Sequence, residues 1–243
     1  MAEGIRLNKY LAQAGICSRR QADAYIEAGR VSVNGKPGGI GYLVFPGDEV
    51  ALDGRDLTLP DAKTVLAWYK PVGVTCTEKD SHAEKMIRDV FSYPVRLTYA
   101  GRLDRDSEGL LLLTDDGDLI QRLMHGSSGH EKEYVVKVDR EVTDDFLRAM
   151  SEGIYLKELS QTTRPCEVVR EGKYTFHIIL TQGLNRQIRR MCAALGFQVR
   201  SIKRVRVANI WLKDLKPGQY REITGEEREA LYGMVKPQER PGP

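Results

Sequence analysis

The chain has 243 residues, of which 41% are hydrophobic and 29% are charged. This length suits one large domain or two modest ones, and the apolar fraction excludes a disordered chain. No apolar run approaches the ~18 residues of a membrane-spanning helix, and the N-terminus lacks a secretory signal, so we expect a soluble, cytoplasmic protein with no membrane partner.

The cysteines are scattered and form no C-x-x-C pair; they are Cys17, Cys76, Cys166 and Cys192. Neither a disulfide framework nor a zinc site is indicated by this spacing. We therefore expect reduced thiols and no metal.

The formal net charge is only +3, but the charge is unevenly distributed. Nine basic residues and no acidic residue lie between Lys173 and Lys213, so the rest of the chain sums to −6, which is the +3 total less these nine. This segment predicts a concentrated cationic surface on an otherwise acidic protein.

The first 50 residues predict a helix pair followed by short strands. Leu7, Tyr10, Leu11 and Ala14 have helical spacing, and Gly15 ends that helix. Ser18 is an N-cap for a second helix that ends at Gly29. A strand at Val31–Val33, an Asn34-Gly35 turn and a strand after Pro46-Gly47-Asp48 follow.

Cations surround this helix pair, namely Arg6, Lys9, Arg19, Arg20, Arg30 and Lys36. They could simply solvate two amphipathic helices. However, the segments Arg6–Leu11, Ser18–Ala22, Ile26–Gly35 and Pro46–Asp48 resemble the S4 RNA-binding module. That resemblance implies recognition of structured RNA through its shape and its phosphates, by Arg6, Lys9, Arg19, Arg20 and Arg30.

A polar linker is predicted at 53–61 and a tail at Lys236–Pro243. Between them the predicted strands are Val65–Tyr69, Leu110–Thr114, Glu133–Val138, Cys166–Val169, Tyr174–Leu180 and Val199–Val207, with the fourth and fifth joined by a turn at Glu171-Gly172. The predicted helices are Glu84–Val90, Asp118–Met124, Asp144–Met150, Asn185–Leu195 and Glu226–Tyr232. Hairpins mix with helices without strict βαβ alternation, which favours the α+β class.

One polar loop precedes the apolar strand at Leu110. It runs from Gly101 to Gly109 and contains Asp104. A carboxylate in a loop anchored by a buried strand is rigidly placed yet accessible. An ion pair with Arg102 or Arg105 within the turn is an equally good interpretation of Asp104 on this evidence alone.

The helix that follows Gln182 carries three arginines and no carboxylate. Ile188 would face the core, leaving Arg186 and Arg190 on one face and Arg189 at the edge of the buried side. An arginine at that edge needs a buried carboxylate partner, whereas Arg186 and Arg190 could equally bind RNA phosphates.

The strand at Glu133–Val138 places Tyr134, Val136 and Val138 on one face. A tyrosine in this position is usually part of the core. It can also provide a stacking surface for a base removed from its helix.

Together these segments resemble the S4-containing rRNA pseudouridine synthases of the RsuA/RluB/RluF group. The resemblance covers nearly all of residues 5–225 and is carried by Lys70–Gly73, Gly101–Asp104, Ser107–Gly117, Lys132–Tyr134 and Gly183–Met191. The blocks His130–Tyr134, Gln182–Asn185 and Arg204–Ile210 are most similar to the RluF subgroup, which acts on large-subunit rRNA.

The resemblance implies an S4 module (residues 1–58), a catalytic domain (63–232) built on a mainly antiparallel mixed sheet with flanking helices, and a flexible tail (233–243). It implies isomerisation of uridine to pseudouridine by a monomer without a cofactor. The expected substrate is 23S rRNA. Small-subunit rRNA, tRNA and a non-catalytic role in ribosome assembly are the alternatives.

The resemblance also implies roles for individual residues. Asp104 would act as nucleophile or base, Arg189 would hold it charged and aimed, and Tyr134 would stack on the flipped uracil and serve the C5 proton. Arg102 would occupy the space that the flipped nucleotide leaves. The remaining RNA contacts would come from Arg186, Arg190, Arg200, Lys203, Arg204 and Arg206.

Overall fold

The computed structural model describes residues 4–77, 84–124 and 129–235. These residues form two compact units. Unit 1 holds the residues up to Thr64 together with Tyr93–Thr98 and Asp115–Gly117, and unit 2 holds the remainder.

Unit 1 combines two helices with two small sheets. Its helices are α1 (Leu7–Gln13) and α2 (Arg19–Glu27), and its strands are β1 (Ile5–Arg6), β2 (Val31–Val33), β3 (Lys36–Pro37), β4 (Leu43–Val44), β5 (Val50–Leu52) and β6 (Arg55–Leu57). The strands pair antiparallel in the orders β3-β2-β5-β6 and β1-β4. The predicted helix pair and the strand at Val31–Val33 are confirmed.

Local side-chain chemistry begins and ends these elements. The Ser18 hydroxyl accepts a hydrogen bond from the Gln21 amide (3.3 Å), and the Gln21 side chain accepts one from the Ser18 amide (3.0 Å), which is a capping box. The linker prediction at 53–61 is wrong in part, because Asp53 and Gly54 both have positive φ and form the tight turn of a hairpin.

The remaining elements follow in chain order. The strands are β7 (Val65–Lys70), β8 (Thr98–Ala100), β9 (Glu108–Thr114), β10 (Lys132–Val138), β11 (Tyr155–Leu156), β12 (Gln161–Thr162), β13 (Glu167–Gly172), β14 (Thr175–Leu180), β15 (Val199–Val207), β16 (Ile210–Trp211) and β17 (Tyr220–Glu222). The helices are α3 (Ile87–Val90), α4 (Gly117–Met124), α5 (Asp144–Glu152), α6 (Gln187–Ala194) and α7 (Gly225–Met234).

The main sheet of unit 2 has the strand order β13-β14-β10-β15-β9-β7-β17. Its neighbouring strands are antiparallel except β9 and β15, which are parallel. The predicted α+β class with a mainly antiparallel mixed sheet is confirmed.

Two hydrophobic cores cover this sheet. One packs α4 and α7 against β7 and β9, and the other packs α5 and α6 against β10 and β14. All four leucines from Leu110 to Leu113 are buried, so β9 is enclosed on both faces. A strand enclosed in this way provides a rigid support for the loop that precedes it.

Several predicted boundaries differ from the structure by one to three residues. The helix predicted from Glu84 begins at Ile87, and the hairpin turns at Lys173 and Tyr174 rather than at Glu171-Gly172. The helix predicted from Asn185 begins at Gln187, because the Gln187 side chain accepts a hydrogen bond from the Leu184 amide (3.1 Å) and caps a turn there. The predicted flexible tail (233–243) begins too early, because α7 continues to Met234 and Val235 is buried. From Lys236 to Pro243 the predicted tail lies outside the described residues.

Candidate active site

A cleft of about 570 Å³ lies in unit 2. It is bordered by residues 101–107, here called the Asp104 loop, and by β10, the end of β14 and the start of α6. Asp104, Tyr134 and Arg189, which are far apart in the sequence, all line this cleft, as do Arg102 and Arg186. A concave site with a few convergent polar groups is the usual form of an active site.

The Asp104 loop has a fixed local conformation. Gly101 turns the chain out of β8 with a φ of +76°, and the Ser107 amide donates a hydrogen bond to the Asp104 carbonyl (3.1 Å). Leu103 and Ser107 are both buried, whereas the Asp104 side chain is 33% exposed. The loop therefore presents its carboxylate to the cleft from an anchored backbone.

Two arginines face the Asp104 carboxylate. Oδ2 of Asp104 lies 3.6 Å from Nη1 of Arg186 and 3.9 Å from Nε of Arg189. The Arg189 side chain is 16% exposed, and its Nη2 donates to the carbonyl of Asp106 (3.0 Å). Nε of Arg189 is buried and lacks a hydrogen-bond partner within the described residues, so it is available to Asp104 at closer range.

Tyr134 lies on β10 opposite Ile178 of β14 and Arg204 of β15. Its ring packs against the core that contains α6 and lines the cleft. Tyr134 thus has both the core role and the cleft-lining position that the sequence left open.

The comparisons with known proteins agree with this arrangement. A model described as RNA pseudouridylate synthase matches residues 64–194, and an S4 domain model matches residues 5–50. The chain belongs to the RNA pseudouridylate synthase family. The enzyme class and the S4 module predicted from the sequence are confirmed.

Several relatives of this pseudouridine synthase match most of its length. The dual-specificity RNA pseudouridine synthase RluF of Escherichia coli (strain K12) is 41% identical over 233 residues, which cover 95% of this chain and 79% of that protein. The ribosomal large subunit pseudouridine synthase B of Salmonella typhi is 37% identical over 241 residues, covering 95% and 83%. A crystal structure of a pseudouridylate synthase matches with a TM-score of 0.68 and 31% identity, covering 93% of this chain and 99% of that one.

Two lysines near the cleft of this synthase were not predicted as site residues. Lys70 is fully buried, and its Nζ donates to the carbonyls of Pro71 (2.9 Å) and Ser107 (2.7 Å). Lys132 lines the cleft, and its Nζ donates to the carbonyl of His130 (3.0 Å). Burial lowers the pKa of each lysine from 10.5 to about 8. In the sequence, both lysines lie in blocks that carry the family resemblance, Lys70–Gly73 and Lys132–Tyr134, but nothing there indicated their burial.

Two arginines predicted to bind RNA phosphates on β15 are not on the surface. Arg204 is only 2% exposed, and its Nε donates to the carbonyl of Leu110 (2.7 Å). The Arg206 side chain is 13% exposed and binds Glu133 (2.9 Å) and Glu131 (3.0 Å). The structure does not favour the predicted phosphate track through Arg204 and Arg206, because loop carbonyls hold Arg204 and two glutamates neutralise Arg206.

Two further predicted RNA contacts already have carboxylate partners. Arg190 pairs with Glu158, and its Nε donates to the carbonyl of Asn185 (3.0 Å). Arg30 forms a two-pronged pair with Asp53, at 3.0 and 2.5 Å. A phosphate would have to compete with these carboxylates, so Arg190 and Arg30 are weak candidates for RNA binding.

The other predicted RNA-binding cations remain compatible with that role. Arg102 and Arg200 are exposed, and Lys203 is half-buried with its Nζ 5.5 Å from the centre of the Tyr69 ring. In unit 1 the side chains of Arg6, Arg19 and Arg20 are exposed, and Lys9 is half-buried.

Across the described ranges, no group of three His, Cys, Asp or Glu side chains is arranged to hold a metal ion. The four cysteines are free thiols. No helix in the described parts of the chain is long and apolar enough to cross a membrane.

Proposed function

We propose that this synthase isomerises a specific uridine of large-subunit rRNA, with Asp104, Tyr134 and Arg189 as its catalytic residues and with no cofactor. The placement of the Asp104 carboxylate in the cleft, opposite Arg186 and Arg189, carries the proposal. The substrate is supported by the relative from Salmonella typhi, whose name assigns it to the ribosomal large subunit.

The reaction requires no redox change. The bond between N1 and C1′ of the uridine breaks, a bond between C5 and C1′ forms, C5 loses its proton, and N1 gains one. Asp104 serves either as the nucleophile at C1′ or as a base toward the ribose. Arg186 and Arg189 supply the opposite charge that a partly buried carboxylate needs.

Tyr134 provides the stacking surface in this proposal. Its ring lines the same cleft as Asp104, and a uracil that leaves its helix exposes a face on which an aromatic ring stacks. Arg102, which is exposed at the rim of the cleft, then fills the space left in the RNA. All these groups belong to one unit of one chain, which supports a monomer. A cytoplasmic location is supported by the relatives, which are named as RNA-modifying and ribosomal-subunit enzymes.

The RNA is held by exposed and half-buried cations outside the cleft. The candidates are Arg200 and Lys203 in unit 2 and Arg6, Lys9, Arg19 and Arg20 in unit 1. Contacts between such cations and phosphates position the RNA without reading its sequence. The choice of uridine therefore depends on RNA shape and on the cleft.

A tRNA is the second candidate substrate. The relative from Escherichia coli is named a dual-specificity enzyme, which favours more than one RNA target. The name does not say which second RNA is meant, so small-subunit rRNA stays an alternative beside tRNA. A non-catalytic role in ribosome assembly does not explain why Asp104 faces Arg189 in a cleft.

Mapping of pseudouridines tests the substrate. Carbodiimide-dependent reverse-transcription stops are compared in rRNA and tRNA from cells with and without the gene. We expect at least one stop in large-subunit rRNA to disappear without the gene and to return when it is restored. Loss of stops only in tRNA or small-subunit rRNA would contradict the large-subunit proposal.

Complementation with Asp104→Asn tests the chemistry. The amide keeps the size of the side chain but cannot act as nucleophile or base. The rate of pseudouridine formation should therefore fall more than about 10³-fold, while RNA affinity should be unchanged. Asp106→Asn is the matched control, because the Asp106 side chain lies in the same loop and pairs only with Arg105 within the described residues. Turnover by Asp104→Asn would refute the assignment.

A further inference from the structure

The guanidinium of Arg204 connects the two ends of the Asp104 loop. Its Nε donates to the carbonyl of Leu110 (2.7 Å), just after the loop, and its Nη1 contacts the carbonyl of Arg102 (3.5 Å), near the start of the loop. We propose that Arg204 is a positioning residue that sets the location of Asp104 by holding both ends of its loop. This inference rests on the proposed role of Asp104.

The backbone of Arg204 fixes the same place independently. Gly109 pairs with Arg204 in the parallel register of β9 and β15 and has a φ of +104°. A Cβ atom at Gly109 would lie 2.3 Å from the carbonyl oxygen and 2.7 Å from the amide nitrogen of Arg204. Only glycine permits this approach, so the chain after the Asp104 loop lies directly on Arg204.

Two other cations hold the last residues of the loop. Lys70 donates to the carbonyl of Ser107 (2.7 Å), and Arg189 donates to the carbonyl of Asp106 (3.0 Å). Together with Arg204, these side chains extend from β7, α6 and β15 and bind loop carbonyls on both sides of Asp104. The Asp104 carboxylate is thereby fixed relative to three separate elements.

Arg204 is suited to this task rather than to RNA binding. Arg204 lines the cleft, but at 2% exposure its guanidinium faces the loop carbonyls rather than solvent. It has no carboxylate partner within the described ranges, and Nη2 is buried without a hydrogen-bond partner there. The planar fork of arginine donates in two directions at once, which a lysine ammonium on its flexible stem does not reproduce.

The test uses the full-length protein and total RNA labelled with [5-³H]uridine from cells that lack the gene. Tritium release reports the loss of the C5 proton. For Arg204→Met we expect kcat to fall about 10²-fold, the effect of a misplaced catalytic group, with KM unchanged. For Arg204→Lys we expect a loss of about tenfold, because one of the two contacts can still form.

RNA affinity separates positioning from direct binding. Affinity for a large-subunit rRNA transcript and its dependence on salt should be unchanged in both variants, because no phosphate contact is removed. A lower affinity with a weaker salt dependence would show that Arg204 contacts phosphate. Full activity of Arg204→Lys would show that only the charge matters. Either result would overturn the proposal.

Two further variants control for folding and for the proposed function. Val207→Ala removes a buried side chain from the same strand, β15, outside the cleft, and should lower thermal stability while leaving kcat intact. If Val207→Ala lost as much kcat as Arg204→Met, the effect of Arg204 would be explained by general destabilisation of β15 and not by positioning of Asp104. If Arg204→Met does not fold, Arg204→Lys carries the test by itself, because it keeps the buried charge and should still show the roughly tenfold fall in kcat with constant KM. Full activity of Asp104→Asn, by contrast, would refute the proposed function itself.

Discussion

Arg204 and Arg206 lie two residues apart on β15, yet their guanidinium groups have different kinds of partner. Arg206 binds the carboxylates of Glu131 and Glu133, and Glu133 also lies 3.2 Å from Nδ1 of His177. Among the described residues, Arg204 has only backbone carbonyls as hydrogen-bond partners. One arginine is neutralised by acidic side chains, and the other holds a loop.

This contrast separates stability from catalysis. A buried ion pair stabilises the fold only as long as both partners remain, and its loss exposes the cost of a lone buried charge. Cations that bind loop carbonyls instead determine where a catalytic group lies. We therefore expect substitutions near the Asp104 loop to change rate, and substitutions in the Glu133 cluster to change stability.

The largest effect is expected at Arg189, which contacts both Asp104 and the loop. Arg189→Lys keeps the charge but loses the geometry that reaches Asp104 and the Asp106 carbonyl together, so kcat should fall about 10²-fold. Single-turnover kinetics measure this. Arg190→Lys is the control, because Arg190 lies on the same helix but pairs with Glu158. Its kcat should stay within about threefold of the wild-type value. Equal losses in both variants would contradict the assignment.

A stability effect is expected in the other region. Arg206→Met leaves the buried carboxylate of Glu133 without its arginine, and the free energy of unfolding should fall by about 2–3 kcal/mol. Urea denaturation measures the loss, and kcat of the folded fraction should be unchanged. The double variant Arg206→Met/Glu133→Leu should recover part of the stability. A fall in kcat without a fall in stability would contradict the assignment of Arg206 to stability rather than catalysis.

The buried Lys70 predicts a pH dependence of stability. Burial lowers its pKa from 10.5 to about 8, so between these values the unfolded state binds the proton and the folded state does not. Unfolding free energy should therefore rise with pH across this window, by at most about 1.4 kcal/mol per pH unit relative to Lys70→Met. Below pH 8 the difference in unfolding free energy between the wild type and Lys70→Met should not change with pH. If plots of unfolding free energy against pH ran parallel for the two proteins from pH 8 to 10.5, the prediction would be wrong.

The smallest effect is expected at the surface of β15. The double change Arg200→Gln and Lys203→Gln removes two cations that can contact phosphates, so the slope of log affinity against log salt should weaken by about 1–2. The kcat at saturating RNA should be unchanged. Filter binding at several salt concentrations measures the slope, and an unchanged slope would place the RNA elsewhere.

Much of the local structure was predictable because its signals are short-range. Ser18 and Gln21, which are three positions apart, form the N-terminal cap of α2. The strand at Val199–Val207 has the bounds expected from its content of β-branched residues. The linker prediction failed at Asp53-Gly54 because the hairpin signal was overlooked among other polar residues. The role of Lys70 was not predictable, because its partner Ser107 is 37 residues away.

The sequence by itself determined the family, the cleft residues Asp104, Tyr134 and Arg189, and the run of nine cations, because residue identity and spacing carry these features. Only the tertiary structure decided which cations face solvent. A bulge between Glu133 and Tyr134 pairs Arg204 with Tyr134 and Arg206 with Glu133, and neighbouring residues of β10 point to opposite faces. Two arginines that strand alternation would place on one face are thus separated, and a predicted RNA surface becomes a loop support and an ion cluster.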